Sequence, residues 1–179
     1  MMTNRRTMLK GTLATLGALA GGGTVLPRFA LAQSAAGDVH DTAGGNTLSI
    51  HPVSHASFVM QTPGGVVYND PVGGADAYAG LPPPDLILIT HEHGDHYDLA
   101  TIVGLPGENT PMVVNPAVLA MLPDALKERA TAIGNGDDTE AHGMTIAAVP
   151  AHNLTEERLK FHPKGRDNGY VLDVDGTRV

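Results

Sequence analysis

The densest set of metal-binding side chains lies in residues 90–96, which read Thr-His-Glu-His-Gly-Asp-His. Imidazole nitrogens and carboxylate oxygens suit Zn²⁺, and also Mn²⁺ or Fe²⁺. Glu92 stands in a His-Glu-His spacing rather than the helical His-Glu-x-x-His of metalloproteases, so it is not expected to act as their general base. The segment predicts a site for a divalent metal ion, formed by His91, His93, Asp95 and His96.

A strand is expected to hold this segment in place. Residues 85–90 read Asp-Leu-Ile-Leu-Ile-Thr, a short apolar run typical of a buried strand. Side chains that follow directly on a strand end have their geometry fixed in advance by the sheet. His91 and His93 alternate along an extended or tightly turned segment, so both can face one ion while Glu92 turns aside.

The beginning of the sequence is typical of an export signal. Arg5 and Arg6 precede an apolar stretch over residues 11–25, and residues 30–32, Ala-Leu-Ala, offer a signal-peptidase site. The Arg-Arg-Thr-Met-Leu-Lys start predicts a twin-arginine signal peptide over residues 1–32, and hence export by the twin-arginine machinery to the periplasm or beyond. An uncleaved N-terminal membrane anchor is the alternative. After cleavage no stable membrane anchor is expected.

Charge and cysteine content restrict the partners. Four of the eleven Lys and Arg residues precede residue 33, so the rest of the chain has seven basic against nineteen acidic residues, a net charge of −12. Such a charge disfavours nucleic acid and anionic membranes, so a small-molecule substrate is expected. Because the sequence contains no cysteine, any metal site must use nitrogen and oxygen ligands.

The remainder is expected to form one domain over residues 47–179, after a flexible leader over residues 33–46 that is rich in small and polar residues. Asn115 is predicted to cap a helix that starts at Pro116. The last predicted strand starts at Thr177 and is cut short, so the domain is expected to be incomplete at its C-terminus. Strands are predicted at 48–53, 57–61, 66–69, 85–90, 112–115, 144–149 and 170–174, and a further short helix at 98–103.

The motif at residues 90–96, following a buried strand, resembles the signature of the metallo-β-lactamase-fold hydrolases. The segments His55-Ala56-Ser57-Phe58 and Asn69-Asp70-Pro71 resemble the branch that contains the ascorbate-6-phosphate lactonase and the N-acylphosphatidylethanolamine phospholipase D. The resemblance implies an α/β fold, an αββα sandwich of two sheets between helices. This chain would supply the N-terminal half to two-thirds of that domain.

The resemblance also implies roles for individual residues. The first metal site of the family maps onto His91, His93 and His152, which leaves an open fourth position where bound water becomes hydroxide near neutral pH. The second site maps onto Asp95 and His96, and the family completes it with an aspartate and a histidine that this sequence lacks. Asp95 is also expected to orient the nucleophile. One or two ions, zinc most of all, are therefore expected.

For three of these residues a purely structural role is the alternative to a role at the metal site. Asp70 is expected to accept hydrogen bonds that fix the ligand loop or the tautomer of a ligand histidine. It could instead be a simple turn residue before Pro71. His55 is either a pocket residue or a hydrogen-bonded core histidine. A histidine such as His152 after a strand can also merely cap a loop. His40, His51, His142 and His162 have no ligand context in the sequence.

The substrate is predicted to be small and anionic. Four basic residues lie in nine positions after His152, where they could bind a phosphate or carboxylate, although neighbouring acids offset most of their charge: Arg158, Lys160, Lys164 and Arg166. The expected activity is hydrolysis of an ester, lactone or phosphodiester bond by a metal-bound hydroxide. A non-catalytic or degenerate periplasmic metal-binding protein is the alternative.

Overall fold

Two β-sheets form the framework of residues 37–179, the part of the chain that the computed structural model describes. The larger sheet has seven strands in chain order, antiparallel from β1 to β4 and parallel from β4 to β7. Its strands are β1 (Asp38–Asp41), β2 (Thr47–Ser54), β3 (Ser57–Thr62), β4 (Gly65–Asn69), β5 (Leu86–Ile89), β6 (Met112–Val114) and β7 (Ala130–Ala132).

The smaller sheet is antiparallel and is built from residues 138–178. Its four strands follow one another as hairpin neighbours: β8 (Asp138–Ala141), β9 (Met144–Pro150), β10 (Asn168–Val174) and β11 (Thr177–Arg178). A long loop, residues 151–167, connects β9 to β10 and contains a 3₁₀ turn at Glu156–Arg158. Because β9 and β10 are paired, this loop must begin and end at the same edge of the smaller sheet.

Three short helices connect the parallel strands: α1 (Leu99–Gly104), α2 (Pro116–Met121) and α3 (Asp124–Lys127). The Asp98 side chain caps α1 by accepting a hydrogen bond from the Ala100 amide, and Asn115 caps α2 with Pro116 in its first turn, as the sequence predicts. A further 3₁₀ turn covers Ala75–Tyr78. Within residues 37–179 no helix has the length and apolar character needed to span a membrane.

The alternation of side chains along β5 explains the layers. Leu86 and Leu88 belong to an apolar cluster shared with β9 and β10, whereas Ile87 and Ile89 belong to a second cluster shared with the helices. The larger sheet is therefore covered on both faces, by the smaller sheet and by helices. This arrangement confirms the predicted α/β class with two packed sheets.

Two side chains, Asn115 and Tyr170, fix the long loop and β10 against the larger sheet through three hydrogen bonds. The amide nitrogen Nδ2 of Asn115 donates to the Arg166 carbonyl and to Oδ1 of Asn168, both at 2.6 Å. The Tyr170 hydroxyl donates to the Ile89 carbonyl at 2.9 Å. Asn115 follows β6 and Ile89 ends β5, so both side chains act where a parallel strand of the larger sheet ends, beside the predicted metal-binding segment.

The leader prediction needs a correction in its second half. Residues 38–41 form β1, which pairs with β2, and Thr42–Asn46 forms the connecting turn. The Thr42 hydroxyl also donates to the Asp175 carboxylate at 2.5 Å, which joins this hairpin to the β10–β11 turn. All four side chains of β1 are exposed, so the sequence shows no apolar pattern from which this strand could be predicted. The predicted signal peptide lies outside the described residues.

Candidate metal centre

A buried carboxylate, Asp70, organises the segment that follows β5. Asp70 comes directly after β4, is only 1% exposed and has a left-handed backbone with φ of 43°. Its two carboxylate oxygens accept hydrogen bonds from the backbone amide and from the hydroxyl of Thr90, each at 2.8 Å. Because β4 and β5 are parallel neighbours, their carboxyl ends lie at one edge, and Asp70 fixes the start of the ligand segment there.

The same carboxylate also holds His96 at the far end of the segment. Nδ1 of His96 lies 2.8 Å from Oδ2 of Asp70, and this hydrogen bond raises the pKa of the imidazole. The amides of His96 and Tyr97 both donate to the carbonyl of His93 at 2.8 Å, so the segment folds into a tight turn. Since Nδ1 is occupied, Nε2 is the nitrogen of His96 that is left for a ligand.

Three imidazoles gather beside this turn: His91, His93 and His162. One ring nitrogen of each lies within 4.8 Å of the others, and the ring centroids are 4.6–5.0 Å apart. His91 is 7% exposed, and its buried Nε2 has no hydrogen-bond partner among the described residues. A buried polar atom without a partner is costly, and a divalent ion bound at this nitrogen would remove that cost.

The electrostatics also favour an ion at these three imidazoles. Burial, together with the nearby rings of His96 and His93, lowers the pKa of His91 to about 4. His91 is therefore neutral at physiological pH, which is the form of imidazole that binds metals. The donor set of three nitrogens fits the open, three-histidine arrangement of catalytic zinc sites.

A chain of charged groups holds His162 in this cluster. Nδ1 of His162 lies 2.7 Å from Oδ2 of Asp167, whose side chain is fully buried. Nε of Arg166 donates to the other oxygen of Asp167 at 2.6 Å, and Nη1 lies 3.1 Å from Glu92. Although burial opposes the charge of Asp167, the hydrogen bonds from Arg166 and His162 lower its pKa. A carboxylate on Nδ1 leaves Nε2 of His162 directed to a metal.

His162 lies beside His91 and His93, where the sequence interpretation expected His152. That interpretation gave His162 no role at the site. His152 is half-buried and belongs to neither cluster of potential ligands in the described part of the chain. The loop folds back on itself after β9, since the amide of Asn153 donates to the carbonyl of His162 at 3.1 Å. The two histidines are thus neighbours in space, but only His162 has a carboxylate, Asp167, that fixes its ring.

A second group of potential ligands adjoins the first. It consists of His55, Asp95 and His96, with one ligand atom of each within 4.8 Å of the others. Nε2 of His55 lies 3.2 Å from Oδ2 of Asp95. Burial acts to raise the pKa of Asp95, but a hydrogen bond with its own backbone amide, followed by the charges of His96 and His55, lowers it below its usual range. His55 is therefore at the site itself rather than in the core.

A cavity of about 520 Å³ opens beside both groups. Ile50, Pro52 and Phe58 form an apolar wall, and His55, His91 and His96 lie on its polar side. Such a combination of apolar lining and a few convergent polar groups is typical of small-molecule sites.

The four basic residues of the long loop do not share one role. Arg166 is committed to Glu92 and Asp167 and also donates to the Phe161 carbonyl, so its charge is already balanced. Arg158, Lys160 and Lys164 are exposed. Within residues 37–179 Arg158, Lys160 and Lys164 form no ion pair, so these three are the ones that could bind an anionic group.

The chain forms a two-sheet α/β sandwich. Its imidazoles gather at the ends of the parallel strands. A model of the beta-lactamase superfamily domain matches residues 49–179. The chain therefore belongs to the β-lactamase superfamily, as its metal-binding motif predicted. The fold is the metallo-β-lactamase fold.

Individual proteins support this assignment. The chain is 31% identical over 136 residues to a UPF0173 metal-dependent hydrolase from Anaeromyxobacter dehalogenans, covering 68% of this chain and 50% of that protein. A crystal structure from Parabacteroides distasonis, assigned as a metal-dependent hydrolase, is 35% identical with a TM-score of 0.67 and covers 79% of this chain and 63% of that one. The chain thus spans half to two-thirds of the length of these relatives.

The fold alone does not determine the reaction. CmlA, a diiron β-hydroxylase from Streptomyces venezuelae, superposes with a TM-score of 0.52 at 20% identity, covering 69% of this chain and 27% of its own. The reaction must be argued from the side chains at the site.

The low pKa of His91 predicts a pH-dependent loss of stability in metal-free protein. Histidine titrates near 6.5 in the unfolded chain, and His91 titrates at about 4 in the folded one. Below about pH 6.5 the unfolded chain therefore binds a proton that the folded chain does not, and the folded state loses about 2 kcal/mol by pH 5. Urea unfolding with chelator at pH 7 and pH 5 should show a smaller loss for His91→Gln than for wild type. Equal losses would contradict this assignment.

Asp167 is predicted to control metal affinity through His162. The Asp167→Asn substitution keeps the shape but removes the charge that both Arg166 and His162 use, so zinc affinity should fall by about 10–100-fold. A competition titration against a chromogenic chelator measures this change. The matched control is Asp124→Asn on the surface of α3, which should bind zinc as wild type does. An Asp167→Asn protein with unchanged affinity would exclude the positioning role.

Proposed function

We propose that the protein is a metal-dependent hydrolase that cleaves an ester, lactone or phosphodiester bond in a small, anionic molecule. The observation that carries this proposal is the cluster of His91, His93 and His162, with a buried nitrogen lacking a partner, beside a cavity of small-molecule size. A divalent ion held there supplies a Lewis acid for the scissile carbonyl or phosphoryl oxygen and lowers the pKa of a water molecule to about 7.

The side chains of the protein position the ligands and a water molecule and exclude bulk water. Asp70 and Thr90 hold the ligand segment rigid, and Asp167 holds His162, so the imidazoles need little rearrangement during the reaction. Asp95 is largely exposed and pairs with His55 beside the three imidazoles, where its carboxylate could accept a hydrogen bond from a water molecule and orient it. The apolar wall with Ile50 and Phe58 excludes bulk water from one side of the substrate.

Two features support the proposed type of bond and the negative charge of the substrate. Residues 55–58 and 69–70, on which the resemblance to the lactonase and phospholipase branch rests, line the cavity. The long loop that carries His162 also carries the exposed cations Arg158, Lys160 and Lys164, which suit a phosphate or carboxylate on the substrate. Zinc is proposed as the ion because three imidazoles form its most common catalytic ligand set, with manganese and iron as the alternatives.

A non-catalytic metal-binding protein is the second candidate. The observation in its favour is that the cluster of His91, His93 and His162 accounts for metal binding without requiring a reaction. Metal binding with no turnover of any tested ester, lactone or phosphodiester would support this candidate.

We also propose that the protein is exported. The twin-arginine motif and the Ala-Leu-Ala site at residues 30–32 support cleavage after Ala32. Expression in a bacterium with an active twin-arginine system should yield a periplasmic chain that N-terminal sequencing reads from Gln33. A chain that stays in the cytoplasm and starts at Met1 would contradict export.

The hydrolase proposal is tested by comparing His162→Ala with His152→Ala. If His162 is the third ligand, its removal should lower zinc affinity at least tenfold and abolish hydrolysis across a panel of ester, lactone and phosphodiester substrates. His152→Ala is the matched control, because it removes a half-buried histidine of the same loop, and it should retain both properties. Metal content by mass spectrometry and initial rates at saturating zinc give the two readouts.

The outcomes separate the candidates. Loss of metal and activity in His152→Ala, with both retained in His162→Ala, would overturn the ligand assignment. Activity that survives complete removal of metal from the wild-type protein would overturn the metal-dependent mechanism.

A further inference from the structure

We propose that the substrate carries an apolar group, a phenyl ring or a short alkyl chain, and that a second cavity between the two sheets binds this group. This inter-sheet cavity has a volume of about 180 Å³ and adjoins the larger cavity beside the imidazoles. The proposal rests on the proposed function, because it specifies the class of molecule on which the metal centre would act. The walls of the inter-sheet cavity are formed mainly by Met60, Val67, Leu88, Tyr170 and Leu172.

The inter-sheet cavity lies in the core of the sandwich. Its walls come from β3, β4 and β5 of the larger sheet and from β10 of the smaller one. Four of the five wall residues are buried members of one apolar cluster, and Tyr170 packs against that cluster. Protein interiors are close-packed and contain few voids larger than a water molecule, so an open space of this size is unusual there. An empty cavity also destabilises a fold in proportion to its volume.

The lining of the inter-sheet cavity offers no charge to an occupant. None of the residues around it, all of which lie within residues 58–179, has a charged side chain. Its polar side chains are bonded elsewhere. Nδ2 of Asn69 donates to a backbone carbonyl in the turn between β2 and β3 at 3.1 Å, and the Tyr170 hydroxyl donates to the Ile89 carbonyl at 2.9 Å. The Thr90 hydroxyl donates to Asp70 at 2.8 Å. The cavity therefore favours an uncharged, apolar group over a polar one.

The volume indicates the size of this group. An apolar cavity of roughly 150 Å³ in a protein core stays dry and binds benzene. At about 180 Å³, the inter-sheet cavity has room for a phenyl ring or a short alkyl chain. Such a group would restore the contacts that the facing side chains of the two sheets lack across the open space.

The inter-sheet cavity shares part of its lining with the cavity at the metal centre. Phe58, Asn69 and Thr90 line both of them. Thr90 directly precedes His91, the buried member of the three-imidazole cluster. A substrate whose scissile bond lies at the imidazoles therefore extends its apolar end along Phe58 into the space between the sheets.

Benzene tests the inter-sheet cavity without metal or activity. Nuclear magnetic resonance spectra of chelator-treated protein, recorded during a titration with benzene, report on the methyl groups of Val67, Leu88 and Leu172. Wild type should bind benzene saturably, with the largest shifts at these methyl groups. Leu172→Phe places an additional ring in the cavity and should weaken binding by about tenfold or more. Leu126→Phe is the matched control, because it makes the same change in the apolar cluster on the helix side, and should bind benzene as wild type does.

Overpacking can itself unfold a core, so urea unfolding first establishes that each variant is folded. If Leu172→Phe does not fold, Val67→Ile takes its place. This substitution adds one methyl group to the wall of the same cavity, and it should weaken benzene binding by a smaller factor than the added ring.

A series of carboxylates tests whether the inter-sheet cavity serves the metal centre. Acetate, butanoate and hexanoate are titrated calorimetrically into zinc-loaded protein, where the carboxylate is expected at the ion and the alkyl chain in the cavity. Burying one methylene group tightens binding by about fourfold, so hexanoate should bind at least tenfold more tightly than acetate. Leu172→Phe should reduce this difference to about threefold or less, whereas Leu126→Phe should keep it.

A wild type that binds no benzene, or that binds acetate and hexanoate equally well, would overturn the proposal. Benzene binding without a preference for the longer carboxylate would reveal a cavity that no substrate uses, and would also overturn it.

Failure of this proposal is distinguishable from failure of the hydrolase function. A preference for hexanoate with no hydrolysis of any ester, lactone or phosphodiester would keep the apolar subsite and remove the function. Hydrolysis of acetyl and hexanoyl esters with equal kcat/KM would keep the function and remove the subsite.

Discussion

The buried carboxylate of Asp70 is the interaction on which the metal centre depends. It accepts hydrogen bonds from the amide and the hydroxyl of Thr90 and also contacts Nδ1 of His96, so one side chain holds both ends of the ligand segment. Burying a carboxylate is costly unless it is fully hydrogen-bonded, and here the parallel pairing of β4 with β5 brings the donors to it. Without Asp70, the backbone turn at His93 would remain, but Thr90 and His96 would lose the side chain that holds them together.

The second constraint is the return of the long loop to the larger sheet. Asn115 holds the Arg166 carbonyl and the Asn168 side chain, and Arg166 and Asp167 in turn reach Glu92 and His162. The contacts of Asn115 and the pair between Arg166 and Glu92 join residues that are distant in sequence, and with the local pair of His162 and Asp167 they bring the third imidazole to the first two. The metal centre is therefore a product of the packing of the two sheets, and its rigidity follows from the buried hydrogen bonds of Asp70, Asn115 and Asp167.

The structure could be predicted from the sequence where local interactions determine it. The apolar run of β5, the Asn115-Pro116 helix start and the dense ligands at residues 91–96 all follow from local patterns. Strands β1 and β8 were missed because neither contains a buried residue or an apolar alternation in its sequence, and pairing with a neighbouring strand determines them. His162 was missed because its partner Asp167 reaches it only through the fold of the loop. His152, directly after a strand, offered the stronger local signal.

Anomalous diffraction from crystals of the zinc-loaded protein would test the central claim most directly. Scattering at the zinc edge locates the ion independently of any assumption about its ligands. A zinc ion bound by His91, His93 and His162, with Asp167 on Nδ1 of His162 and His152 outside the coordination sphere, is the predicted result. A zinc ion bound by His152 in place of His162 would contradict it.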